Sequence, residues 1–235
     1  RAAVRDCELA QNGVRGIGVQ SGGELHVAGS RVGCNAQEGI FVSGLGSRAH
    51  VQDGNVVYEN GTKGIGVQSA AVAVVHASTL ERNAEEGLFL SDQGTQATLR
   101  DCTVSENGMK GVGVQTGGQA DVDGNLISRN AREGVYVSGP GSRALIQNND
   151  IVDHGVKGVG VQDGADAAVE GNRISGNQYV GVHVYGLGSR AIVADNDISA
   201  NKLAAVVTEN GGVVQSADNK IDGVEERALK QPLDA

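Results

Sequence analysis

Apolar residues recur along this chain in short alternating bursts. Ile17 and Val19 flank Gly18, and the same pattern returns at Ile40 and Val42, Ile65 and Val67, and Leu88 and Leu90. It continues at Val112 and Val114, Val135 and Val137, Val159 and Val161, and Val182 and Val184. Period-two spacing with β-branched residues predicts short strands that each bury one face. A second apolar position recurs as Val27, Leu99, Val122, Ile146, Val169 and Val193. A third recurs as Leu9, Val32, Val57, Leu80, Val104, Ile127, Ile151, Ile174, Ile198 and Ile221. Each unit therefore supplies three strands.

The bursts belong to a repeat. GIGVQ starts at Gly16 and Gly64, and GVGVQ starts at Gly111 and Gly158. A second motif falls midway, as EGIFVSG from Glu38, EGLFLSD from Glu86, EGVYVSG from Glu133 and VGVHVYG from Val180. The unit is a coil of 23 to 25 residues in two alternating versions. Repeats of this length, each too small to bury a core alone, predict a stacked solenoid. The expected fold is all-β: a single-stranded, right-handed parallel β-helix of about nine to ten coils, three strands per coil. It should occupy residues 1–222, with 223–235 as a last partial coil or cap.

Two polar columns support this stacking. Asn12, Asn35, Asn60, Asn83, Asn107, Asn130, Asn177 and Asn201 share one column, interrupted by His154. Asn55, Asn125, Asn149, Asn172, Asn196 and Asn219 share a second, with Ser or Cys in the other coils. Stacked amides hydrogen-bond along a fibre-like axis, and Asn also tolerates the left-handed backbone of a corner. On these motifs the chain resembles the right-handed parallel β-helix superfamily. More narrowly, it is similar to the "NGxxGIxV" repeats of NosD-like periplasmic proteins, pectin-active enzymes and alginate C5-epimerases. The resemblance implies the fold and opens polysaccharide chemistry as a function class.

Composition narrows the partners. The net charge is −9 with no run of like charges, which argues against nucleic acid and against polyanions held by bulk attraction. No stretch approaches the roughly 20 apolar residues of a membrane-spanning helix. Cys7 and Cys102 share a column four coils apart, about 19 Å, so they cannot form a disulfide. Arg1-Ala2-Ala3-Val4 matches Arg190-Ala191-Ile192-Val193 within a later coil. The chain is therefore expected to come from a longer extracytoplasmic precursor whose targeting segment lies elsewhere.

Charge alternates before the motif glycines: Arg15, Glu38, Lys63, Glu86, Lys110, Glu133, Lys157, then Val180. Another column runs Glu59, Arg82, Glu106, Arg129, Asp153. Opposite charges on neighbouring strands set register, because a one-coil slip places like on like.

The outward face of the motif strand is the candidate contact surface. One column reads Gly18, Phe41, Gly66, Phe89, Gly113, Tyr136, Gly160, His183. The next carries Gln68, Gln115 and Gln162, with Tyr185 in the last coil. Rings every ~9.6 Å flanked by amides suit a linear glycan or a protein strand. They equally suit rings lying over bare glycine backbone. Arg143 and Arg190, placed in the following turn, are candidate contacts for ligand carboxylates.

Catalytic signals are thin. The Asp-Pro-His-Asp motif of the epimerases has no counterpart. The five histidines fall in different columns with no metal-ligand spacing, so no metal or cofactor is expected. Asp121, Asp123, Asp163 and Asp166 could form an acidic patch with weak calcium affinity. The leading reading is a non-enzymatic binding or scaffold module presenting a flat ladder surface to a polysaccharide or a protein partner. The alternatives are a polysaccharide lyase, hydrolase or epimerase, and a structural spacer that associates end to end or laterally.

Overall fold

The computed structural model describes residues 1–222 and the backbone of 224–225. The expected tail otherwise lies outside the described residues. Three parallel sheets run the length of the molecule. The first has ten strands, from Ala2–Arg5 to Val213–Ala217. The second has eleven, from Glu8–Ala10 to Lys220–Ile221, closed by the antiparallel pair Val224–Glu225. The third has nine, from Ile17–Val19 to Ala204–Glu209. From Ala2 to Ile221 consecutive strands fall in different sheets, so each circuit of the three is one coil and the chain winds about nine of them.

The three apolar positions of the repeat meet in one axial core. Val42, Val67, Leu90, Val114, Val137 and Val161 enter it from the third sheet. Val51, Val75, Leu99, Val122 and Ile146 enter from the first, and Leu80, Val104, Ile127, Ile151 and Ile174 from the second. Their alternation follows from the pleat, which sends successive side chains to opposite faces.

Corners carry the polar ladders. The ladder asparagine follows the residue that turns the corner and is not itself that residue. Glu59, Arg82, Glu106, Arg129 and Asp153 take φ between 50 and 60°, immediately before Asn60, Asn83, Asn107, Asn130 and His154. The left-handed turn costs roughly 1 kcal/mol per non-glycine residue, and the ladder behind it offsets that cost. Asn107 Nδ2 donates to Asn130 Oδ1 at 2.9 Å and to the Leu80 carbonyl at 3.1 Å. The corner charges pair as the alternation predicts: Arg82 with Glu59 at 3.2 Å and Arg129 with Glu106 at 3.0 Å.

His154 completes the ladder it interrupts. Its Nδ1 accepts from the Asn130 backbone N–H at 3.2 Å, and its Nε2 lies 3.1 Å from the Ile127 carbonyl. The ring thus does the work of an amide, one acceptor and one donor, which requires the neutral Nε2–H tautomer. Burial pushes its pKa down to about 4.

Candidate functional site

The ring column on the third sheet is real but roofed. Phe41 is only 7% exposed, with the Arg15 guanidinium carbon 3.9 Å from its centroid. Lys63 Nζ stands 5.0 Å over the Phe89 ring, and Lys110 Nζ 4.9 Å over Tyr136. Each cation reaches forward one coil onto the ring paired with the next glycine, as in Phe89↔Gly113 and Tyr136↔Gly160. These cation–π contacts occupy the ring faces a sugar would use. Burial also raises the Tyr136 phenol pKa. Gln68, Gln115 and Gln162 end their strands half-buried, and Gln162 Nε2 donates to Asp163 Oδ2 at 3.1 Å.

The basic residues also pair with the acids of their own column. Arg15 meets Glu38 at 2.7 Å and Lys110 meets Glu86 at 3.0 Å. Lys63 turns instead to Glu85, one residue off the column. The column is broken at the strand Val180–Tyr185, where Val180 replaces the acid and His183 replaces the ring. There His183 is 6% exposed, edge-on to Tyr179 at 6.3 Å and Tyr185 at 5.9 Å. Its Nε2 lies 3.3 Å from Glu209 Oε2, yet neither ring nitrogen completes a hydrogen bond. Burial, then the Lys157 charge, lowers the His183 pKa, and burial lowers that of Lys157. Glu133 is 3% exposed, and its Oε2 accepts no hydrogen bond but lies 3.7 Å from the Arg132 guanidinium.

Arg143 and Arg190 open their strands in the first sheet and do not sit in a turn. They line a shallow groove on its outer face, made of two adjoining depressions of about 390 and 410 Å³ that share Arg143 and Ala144. The groove runs from Val72 to Val213, about 29 Å at ~4.8 Å per strand. Leu145, Ile192 and Val213 are each more than a third exposed along it. Gln96, Gln119, Thr98 and Gln215 supply hydrogen-bonding groups. Asp166 lies between Arg143 and Arg190 in register and pairs with Arg143 at 3.8 Å. Arg190 makes no ion pair among the described residues.

The expected acidic patch is not assembled. Arg100 takes Asp121 at 2.6 Å and lies 4.0 Å from Asp123, while Asp163 accepts from Ser138 at 2.8 Å. The histidines are also not all separate, because His26 and His50 are direct partners on neighbouring strands. Their 24-residue spacing is one coil, which was the available sequence signal.

Similarity to known proteins follows the fold. Residues 1–104 and 91–230 match the model of the right handed beta helix region, and the chain belongs to that family. Among solved structures it is similar to a point variant of a periplasmic alginate epimerase, with a TM-score of 0.70 and 14% identity. That match covers 84% of this chain and 50% of the epimerase. The A-module of an Azotobacter vinelandii mannuronan C-5 epimerase gives 0.68 at 21% identity, covering 85% of this chain and 59% of the module. A pectate lyase gives 0.61 at 16% identity, covering 94% and 68%. The chain thus spans 50% and 59% of the lengths of these two epimerases. Among curated proteins, none matches. No helix among the described residues is long and apolar enough to cross a membrane.

Proposed function

We propose that this β-helix is a non-enzymatic binding module of a larger extracytoplasmic protein, and that it seats an extended acidic polysaccharide along the groove of the first sheet. The observation that carries the reading is the groove's shape and lining: long, shallow and apolar-floored, with Arg190 free of any ion pair among the described residues. An elongated trough on a rigid sheet suits a polymer better than a compact ligand. A guanidinium offers a planar fork to a uronate carboxylate, and exposed Ile192 and Leu145 face the apolar C–H surfaces of sugar rings. Similar structures include proteins named for alginate and pectate, both acidic polysaccharides, which favours this chemistry over a neutral glycan. The overall negative charge then limits affinity, so binding should rest on local contacts and weaken with salt.

A second reading, a polysaccharide-active enzyme, is favoured by one observation. Glu133, Lys157 and His183 form the cluster where buried ionisable groups lack hydrogen bonds or have lowered pKa values, the signature of a proton-transfer site. Glu133 and His183 are covered, so substrate access would require the side chains over them to move.

The test is affinity electrophoresis of the purified chain through gels containing alginate, pectate or neutral glucans, with product release followed in parallel. Retardation by the polyuronides without turnover supports the module. Turnover moves the protein to the enzymatic reading, and migration unaffected by every polymer overturns both.

A further inference from the structure

Glu24, His26 and His50 stand on the outer face of the first sheet, on the two strands immediately before the groove begins. Glu24 and His26 are two residues apart on one strand, so the pleat sends both side chains outward. His26 and His50 are paired in register, and their rings stack at 4.7 Å with planes 7° apart. Glu24 Oε1 is 2.9 Å from His26 Nε2. One ligand atom from each residue lies within 4.8 Å of those of the other two.

We propose that these three residues form a surface site for a divalent transition-metal cation, zinc foremost. Two imidazoles and a carboxylate are a donor set that borderline cations prefer, and one that calcium, which takes six to eight oxygens, does not. Zinc bonds of about 2.0–2.2 Å place tetrahedral ligands roughly 3.3 Å apart. Small side-chain rotations on a fixed sheet close the remaining distance. All three groups are only partly buried, so solvent reaches the site and a fourth coordination position stays open.

The charges around the site set its conditions. Arg1 contacts Glu24 at 3.5 Å and His26 at 3.1 Å, and Arg48 lies on the His50 strand. A cation must displace the Arg1 side chain, which holds affinity to the micromolar range rather than the nanomolar.

This inference stands apart from the groove reading, yet the two share a column. His50 pairs with Val74, whose column continues through Thr98, Asp121, Leu145, Ala168 and Ile192. A cation held here would present its open position in line with the groove.

The test is calorimetric titration of Zn²⁺ into tag-free protein whose exposed thiols, Cys7 and Cys34, have been alkylated. Calcium serves as the comparison ion. The expected result is one zinc site of micromolar affinity, weakened at least tenfold by His26→Ala or by His50→Ala and unchanged by His76→Ala. Far-ultraviolet circular dichroism checks that each variant keeps its β signal, and wild-type Tm should rise with zinc while that of His50→Ala does not. No zinc heat at millimolar concentration overturns the proposal, as does binding that survives the double variant His26→Ala/His50→Ala.

Discussion

Lys110 Nζ stands 3.0 Å from Glu86 Oε1 and 4.9 Å from the Tyr136 ring centroid. One ammonium therefore ties the coil behind it to the coil ahead, and both charged partners are buried. Removing one member of a buried pair leaves the other uncompensated. Lys110→Met should lower stability by about 3 kcal/mol in denaturant titration. The double variant Lys110→Met/Glu86→Gln should lose less than the sum of the single variants. Additive losses would show that the pair is not coupled.

The amide ladder should respond according to depth. Asn107 is buried between Asn83 and Asn130, and its removal strips the Asn83 N–H and Nδ2 of their acceptor and the Leu80 carbonyl of a side-chain donor. Asn107→Ala should cost about 3 kcal/mol. Asn12, at the exposed end with one ladder partner, should cost less than about 1 kcal/mol when replaced by Ala. Equal losses at the two positions would contradict the ladder account.

His154 makes stability depend on acid. Burial depresses its folded pKa to about 4 from the ordinary imidazole value of 6.5, so the unfolded chain binds the proton first as pH falls. Stability from this residue is complete above about pH 6.5 and declines down to about pH 4, by about 3 kcal/mol in all. His154→Asn restores the amide and should flatten that part of the pH profile. Urea midpoints measured across the range decide it, and an unchanged slope in the variant would assign the effect elsewhere.

Two glycines only two residues apart, Gly111 and Gly113, should separate sharply when replaced. A Cβ on Gly111 would lie 2.6 Å from the Gly134 carbonyl oxygen, which is backbone and cannot yield. A Cβ on Gly113 would lie 3.3 Å from the Phe89 ring. Gly111→Ala should cost at least about 2 kcal/mol and Gly113→Ala less than about 1 kcal/mol. Thermal melts of the two variants give the comparison directly.

Much of the fold was legible because its determinants repeat. Ile17, Ile40 and Ile65 mark one inward column whatever lies between them, and the pairing Ile17↔Ile40↔Ile65 is the spacing of the motif. The site was less legible because it depends on where long side chains lie. Spacing predicts that Lys63 and Lys110 face acids. It does not say that both also lie over rings, since a flexible stem can serve either neighbour. Arg143 and Arg190 were visible as residues but not as groove walls. The groove is a property of the face they share with Ala144 and Ile192, and no single motif encodes it. His26 and His50 share a column that coils of unequal length obscure in the linear sequence.

The central claim is that the contact surface lies on the first sheet, not on the roofed ring column of the third. The direct measurement compares alginate or pectate affinity for Arg143→Ala/Arg190→Ala with that for Phe89→Ala/Tyr136→Ala, alongside Tm. The groove variant should lose at least tenfold in affinity with little change in Tm, and the ring variant should lose stability while keeping affinity in its folded fraction. Unchanged affinity in the groove variant, with loss confined to the ring variant, would contradict the account.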